Sequence, residues 1–114
     1  MTIAAVLFAI AALGGVVMAL MRLSGRELPP MPLAIVHGLF AASGLITLLL
    51  VVFAPGVTLL AKIALLLFVG AAIGGFVMFG YHLKRKPLPI PYVLIHGAVA
   101  VCAFVLLIVA MMSR

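Results

Sequence analysis

Four long apolar runs, separated by short polar stretches, make up almost the whole chain. They cover about Thr2 to Met21, Pro32 to Phe53, Val57 to Gly80 and Pro91 to Met112. Runs of roughly 20 residues, rising 1.5 Å per residue as helix, match the thickness of a bilayer's hydrocarbon core. No run alternates apolar and polar residues with period two, so membrane barrel strands are excluded. Ser24-Gly25-Arg26-Glu27, Ala54-Pro55-Gly56 and Lys84-Arg85-Lys86 read as tight connections. Loops this short force consecutive spans to run antiparallel. The predicted fold is all-α: an integral membrane four-helix bundle.

The runs come in matched pairs. Pro30-Met31-Pro32-Leu33-Ala34-Ile35-Val36-His37-Gly38 is echoed by Pro89-Ile90-Pro91-Tyr92-Val93-Leu94-Ile95-His96-Gly97. Upstream, Ala11-Ala12-Leu13-Gly14-Gly15-Val16-Val17-Met18 is echoed by Ala71-Ala72-Ile73-Gly74-Gly75-Phe76-Val77-Met78. The chain therefore divides into two hairpins, Met1 to Phe53 and Ala54 to Arg114, forming one domain by internal duplication. Each proline pair suits the first turn of a helix, where the missing N–H has no intrahelical partner to lose. Two spans per unit is an even number, so the second unit enters the membrane in the same direction as the first. This makes a parallel repeat about an axis along the membrane normal. His37 and His96 are then expected at one depth, on opposite sides of that axis.

Composition agrees with the pattern. Of 114 residues, 69% are hydrophobic, and a soluble domain of this size buries only about 60–70% of its chain surface. The net charge of +6 does not point to nucleic acid. Six of the seven Lys and Arg sit between runs or at the C-terminus, and only Lys62 lies within one. Flanking charges of this kind orient spans and meet anionic headgroups. The first run has no charged leader before it and no clear cleavage site after it, so it reads as a retained span. Cys102, alone and deep in the last run, reads as a small buried hydrophobe.

The two histidines carry the chemistry, if any is present. Each lies about five residues inside its span, so about 7–8 Å below loop level. Ionisable side chains at that depth count as functional candidates. One and two turns beyond them come Ala41 and Gly44 in one span, Ala100 and Ala103 in the other, leaving room beside the imidazoles. Met18 and Met78 lie at about the same depth, with Gly14 and Gly74 one turn deeper. Three readings follow. In the first, the histidines serve packing alone, in a non-catalytic accessory subunit that binds partner helices or lipid. In the second, they are axial ligands of one haem b, with Arg22, Arg26, Lys84 and Arg85 at loop level to meet its propionates. In the third, they join Met18 and Met78 in a two-thioether, two-imidazole site for Cu(I). His82 and Tyr81 are expected at the loop level, facing headgroups. Glu27 is the sole carboxylate, and no nucleophile–base pair, phosphate loop or Cys-x-x-Cys occurs, so no catalytic residue is assigned.

The arrangement of His37, His96 and the glycines resembles small four-helix membrane b-type cytochromes, which hold haem between helices by paired histidines. The resemblance implies haem b, His37 and His96 as iron ligands, and single-electron transfer or haem handling. The Gly-Gly, Pro-x-Pro, His-Gly pattern also looks like that of many small bacterial four-span membrane proteins.

Two expectations concern placement. Gly70-x-x-x-Gly74 is a small-residue pair that suggests a homodimer through the third span. Arg22, Arg26, Lys84, Arg85 and Lys86 outweigh Lys62 and Arg114, so both termini should lie outside and both proline-rich loops inside. In a bacterial inner membrane this sets the histidines toward the cytoplasmic leaflet, with any redox or haem-exchange partner on that side.

Overall fold

The computed structural model describes residues 1–113; Arg114, counted above for orientation and as the end of the second hairpin, lies outside them. It contains α1 (Thr2–Leu23), α2 (Met31–Val51), α3 (Leu59–Leu83) and α4 (Ile90–Met112). All four are long and apolar enough to cross a membrane. The bundle measures 45 × 20 × 19 Å, which is one helix length by two helix diameters. Each helix packs on its two neighbours in chain order, and α1 closes the ring against α4. The diagonal pairs, α1 with α3 and α2 with α4, face each other across the centre.

Local chemistry sets the helix ends. α2 and α4 start just after Pro30 and Pro89, which cap them in extended conformation, with Pro32 and Pro91 inside the first turn. α1 and α3 end alike. The N–H groups of Ser24, Gly25 and Arg26 return to the carbonyls of Leu20, Arg22 and Met21. Those of Lys84, Arg85 and Lys86 return to Gly80, His82 and Tyr81. Such wraps need a left-handed residue, supplied by Gly25 at φ 105° and by Arg85 at φ 55°.

α3 runs three residues past the expected Gly80 and takes Tyr81 and His82 into its last turn. The expectation that His82 faces headgroups is therefore wrong: it is 9% exposed. Its Nε2–H donates to the Pro29 carbonyl at 2.7 Å. The corresponding residue of the other hairpin, Arg22, donates from Nε to the Leu88 carbonyl at 2.8 Å. Each hairpin thus holds the proline-rich entry of the other. Proline-rich segments present carbonyls without matching N–H groups, and these two donors satisfy one on each side.

Alanine makes up much of the interior, and many of the large apolar side chains face outward. Ala4, Ala61, Ala64, Ala103 and Ala110 are fully buried, while Leu50, Phe76 and Leu13 are 78%, 76% and 71% exposed. A water-soluble bundle shows the opposite order. In lipid no hydrophobic force drives helices together, so association rests on close backbone approach and van der Waals contact. Cys102 faces outward in α4, contrary to the expectation of a buried thiol.

The tightest packing lies at the end of the bundle that holds the N-terminus. There Phe8 and Phe68 stack with ring centres 3.7 Å apart and planes parallel to 1°. Ala4, Ala5, Leu48, Val52, Ala64, Leu65 and Leu107 close around them. Gly44 sits against the Phe8 ring, where a Cβ would come within 3.1 Å.

Phe8→Ala or Phe68→Ala should cost about 3 kcal/mol, the usual range for a buried aromatic truncation. A double-mutant cycle between them should show coupling of about 1 kcal/mol. The measurement is reversible unfolding in mixed micelles; additive effects would mean that the rings do not bear on one another.

Candidate functional site

The site begins with two backbone carbonyls. In α1, the Ala11 carbonyl accepts a hydrogen bond from His37 Nδ1–H at 2.7 Å. In α3, the Ala71 carbonyl accepts one from His96 Nδ1–H at 2.8 Å. Each bond ties the two helices of one hairpin together inside the apolar layer, where an unpaired imidazole N–H would be costly.

Glycine makes this approach possible. A Cβ on Gly15 would lie 3.0 Å from His37 Cε1, and one on Gly75 would lie 3.4 Å from His96 Cε1. Gly14 and Gly74 face the same rings more loosely, at 3.7 Å. The Gly-Gly pairs therefore form shelves on which the imidazoles rest against α1 and α3. Of the four glycines, Gly14 and Gly74 were the expected site residues; the structure adds Gly15, Gly75 and the carbonyls of Ala11 and Ala71. The signal was present in the doubled Gly-Gly, but a carbonyl leaves no trace in a side-chain pattern.

The two rings meet near the bundle centre. Their centres are 6.3 Å apart, and their planes make an angle of 75°. Because each Nδ1 spends its proton on a carbonyl, each neutral ring keeps its lone pair on Nε2. Both rings are half-buried, between the phenylalanine stack and the Arg22 and His82 clasp.

The other expected residues divide. Ala41 and Ala100 are half-buried one turn beyond the histidines, while Gly44 serves the Phe8 ring. Met18 and Met78 are half-buried on the stripes of α1 and α3 that carry the glycine shelves. Arg22 Nε is committed to Leu88. Arg26 is exposed and bonds within its own loop to the Leu28 carbonyl at 3.0 Å. Lys84 and Arg85 are exposed beside the end of α3.

Among the described residues no group of three or more His, Cys, Asp or Glu side chains comes together. His37 and His96 bring at most two ring nitrogens together, fewer than a tetrahedral zinc site takes. His82 adds one unusual feature. Its Nδ1 is buried with no hydrogen-bond partner, while its ring lies near parallel to Phe79 at 6.2 Å.

Comparison of the chain with protein-family models, curated proteins and solved structures gives no match, so the reading of this site rests on its own geometry.

Proposed function

We propose that this protein holds one haem b between α2 and α4, with His37 and His96 as axial ligands, for single-electron transfer or haem handling in the membrane. The observation that carries the reading is the separation of the two rings. Two imidazoles that would hold one metal between them, each nitrogen about 1.1 Å from its ring centre and about 2.0 Å from the metal, would have their centres no more than about 6.2 Å apart. The centres stand 6.3 Å apart. Hydrogen bonding of the far ring nitrogen to a carbonyl is how metal-bound histidines are commonly oriented and made more basic. Both rings have that bond. When bound, haem would supply a one-electron couple, tuned by its two imidazoles and by the apolar surroundings.

The structural reading keeps one argument. The same carbonyl bonds join the helices of each hairpin and would do so without a ligand; interhelical hydrogen bonds of this kind contribute about 0.6 kcal/mol in lipid. A spectrum separates the two. Protein made in haem-replete cells and purified in mild detergent should show a Soret band that moves on reduction. His37→Ala and His96→Ala should each abolish the low-spin spectrum, and His82→Ala should leave it. A colourless wild-type protein would overturn the proposal in favour of packing. Copper in the metal analysis, lost on joint replacement of Met18 and Met78 by Leu, would replace haem by Cu(I).

The glycine shelves give a sharper, one-sided prediction. Gly15→Ala must push the His37 ring, because its methyl would lie 3.0 Å from Cε1, whereas Gly75→Ala adds a methyl at the 3.4 Å edge of ordinary contact. Gly15→Ala should therefore shift or weaken the low-spin bands, and Gly75→Ala should leave them close to wild type. Equal effects would mean that the shelves do not set ligand position.

Orientation completes the proposal. The loops after α1 and α3 hold Arg22, Arg26, Lys84, Arg85 and Lys86, and short basic loops stay cytoplasmic. In a bacterial inner membrane a C-terminal alkaline phosphatase fusion should be active and a C-terminal green fluorescent protein fusion dark. The reverse pattern would move the histidines to the outer leaflet.

A further inference from the structure

The two hairpins differ most where α3 and α4 face the lipid. A groove of about 350 Å³ runs between these helices, lined by Gly70, Gly74, Val77, Tyr92, Ile95 and His96 among others. A second hollow, of about 280 Å³, continues it toward the loop, sharing Val77 and adding Gly80, Tyr81, Lys84 and Lys86. From Gly70 to Lys84 the groove follows α3 for about 21 Å, which is close to the length of a lipid acyl chain. Its deep end is apolar, and its mouth is cationic.

Gly70 and Gly80 are not required by packing. A Cβ on either would meet nothing within 4 Å, and neither has a left-handed backbone. Each costs its helix about 1 kcal/mol relative to alanine. The corresponding residues of the first hairpin, sixty positions earlier, are Ile10 and Leu20. Large side chains on one hairpin have become bare backbone on the other, and the space so opened is the groove.

The mouth departs in the same hairpin. The wrap that ends α1 is Ser24-Gly25-Arg26; the same wrap ending α3 is Lys84-Arg85-Lys86. Arg85 holds the left-handed position at φ 55° where the first hairpin has Gly25, a conformation that costs a non-glycine residue about 1–2 kcal/mol. The two helix glycines and the left-handed Arg85 between the lysines thus each run against local backbone preference.

We propose that this groove binds one anionic phospholipid, its acyl chain along Gly80, Val77, Gly74 and Gly70, and its phosphate on Lys84 and Lys86. A second copy of the chain fits less well. Helices of two copies paired through the same small-residue face would set the Lys84-Arg85-Lys86 clusters against each other, and the chain's one acidic residue, Glu27, lies in the other hairpin's loop. An anionic headgroup meets that charge and is worth about fivefold in affinity per cation. The groove borders Gly74 and His96 of the histidine site, but lipid retention is read without reference to haem.

The test uses the full-length protein, delipidated in mild detergent, titrated with dioleoylphosphatidylglycerol or dioleoylphosphatidylcholine and read by native mass spectrometry. Wild type should retain one phosphatidylglycerol at concentrations where phosphatidylcholine is lost. The joint variant Gly70→Ile with Gly80→Leu restores the first hairpin's residues; it should fold with unchanged helical circular dichroism and lose retention by about tenfold or more, as a filled apolar site does. Lys84→Ser with Lys86→Ser should lose affinity by about twentyfold, most steeply at low salt. Arg85→Gly should raise the unfolding midpoint and weaken retention together. Equal retention of both lipids, or undiminished phosphatidylglycerol retention in the filled-groove variant, would overturn the proposal. So would a wild-type dimer that the filled-groove variant converts to monomer, which would assign the groove to a second copy.

Discussion

Two hydrogen bonds inside the apolar layer organise the structure: His37 to the Ala11 carbonyl and His96 to the Ala71 carbonyl. A polar ring within a membrane span must find a partner there, since no water is present to supply one. The imidazole that reaches each carbonyl lies over a glycine of the facing helix, tightly at Gly15 and with ordinary contact distance to spare at Gly75. The glycines in turn bring α1 close to α2 and α3 close to α4. Once both rings are held this way, how the two hairpins dock sets their spacing, 6.3 Å between centres in an edge-to-face arrangement.

Docking is achieved at the two ends of the bundle by different means. At one end the Phe8–Phe68 stack and a shell of alanines and leucines give dense van der Waals contact. At the other, Arg22 and His82 reach across to carbonyls of the proline-rich entries. Between them lies the layer of histidines and glycines, with small side chains and two imidazoles.

The hairpins share the residues that build this middle and differ in those that face lipid. Phenylalanine, glycine pair, methionine and histidine recur in both. The second hairpin alone has Gly70, Gly80 and a left-handed Arg85. The common set serves the interior, where both halves meet, and the private set serves one exterior groove. A bundle of this kind can therefore keep a shared centre while giving one side its own partner.

The sequence by itself determined the four spans, their antiparallel order and the pairing of His37 with His96, because run length, loop length and the repeated Pro-x-Pro and His-Gly motifs act locally and need no neighbours. It also marked Gly14 and Gly74 as site residues one turn deeper than Met18 and Met78; that they face the imidazoles is a result of packing. The tertiary structure decided the rest. A carbonyl as hydrogen-bond partner, the use of Gly15 and Gly75 as shelves, and the diversion of Gly44 to the Phe8 ring depend on which helix faces which. His82 read as an interface residue because its span could end at Gly80; docking against Pro29 instead draws it inside. Cys102 read as buried because its run is apolar throughout, and in a run with no polar face the side that meets lipid is chosen only by the neighbouring helices.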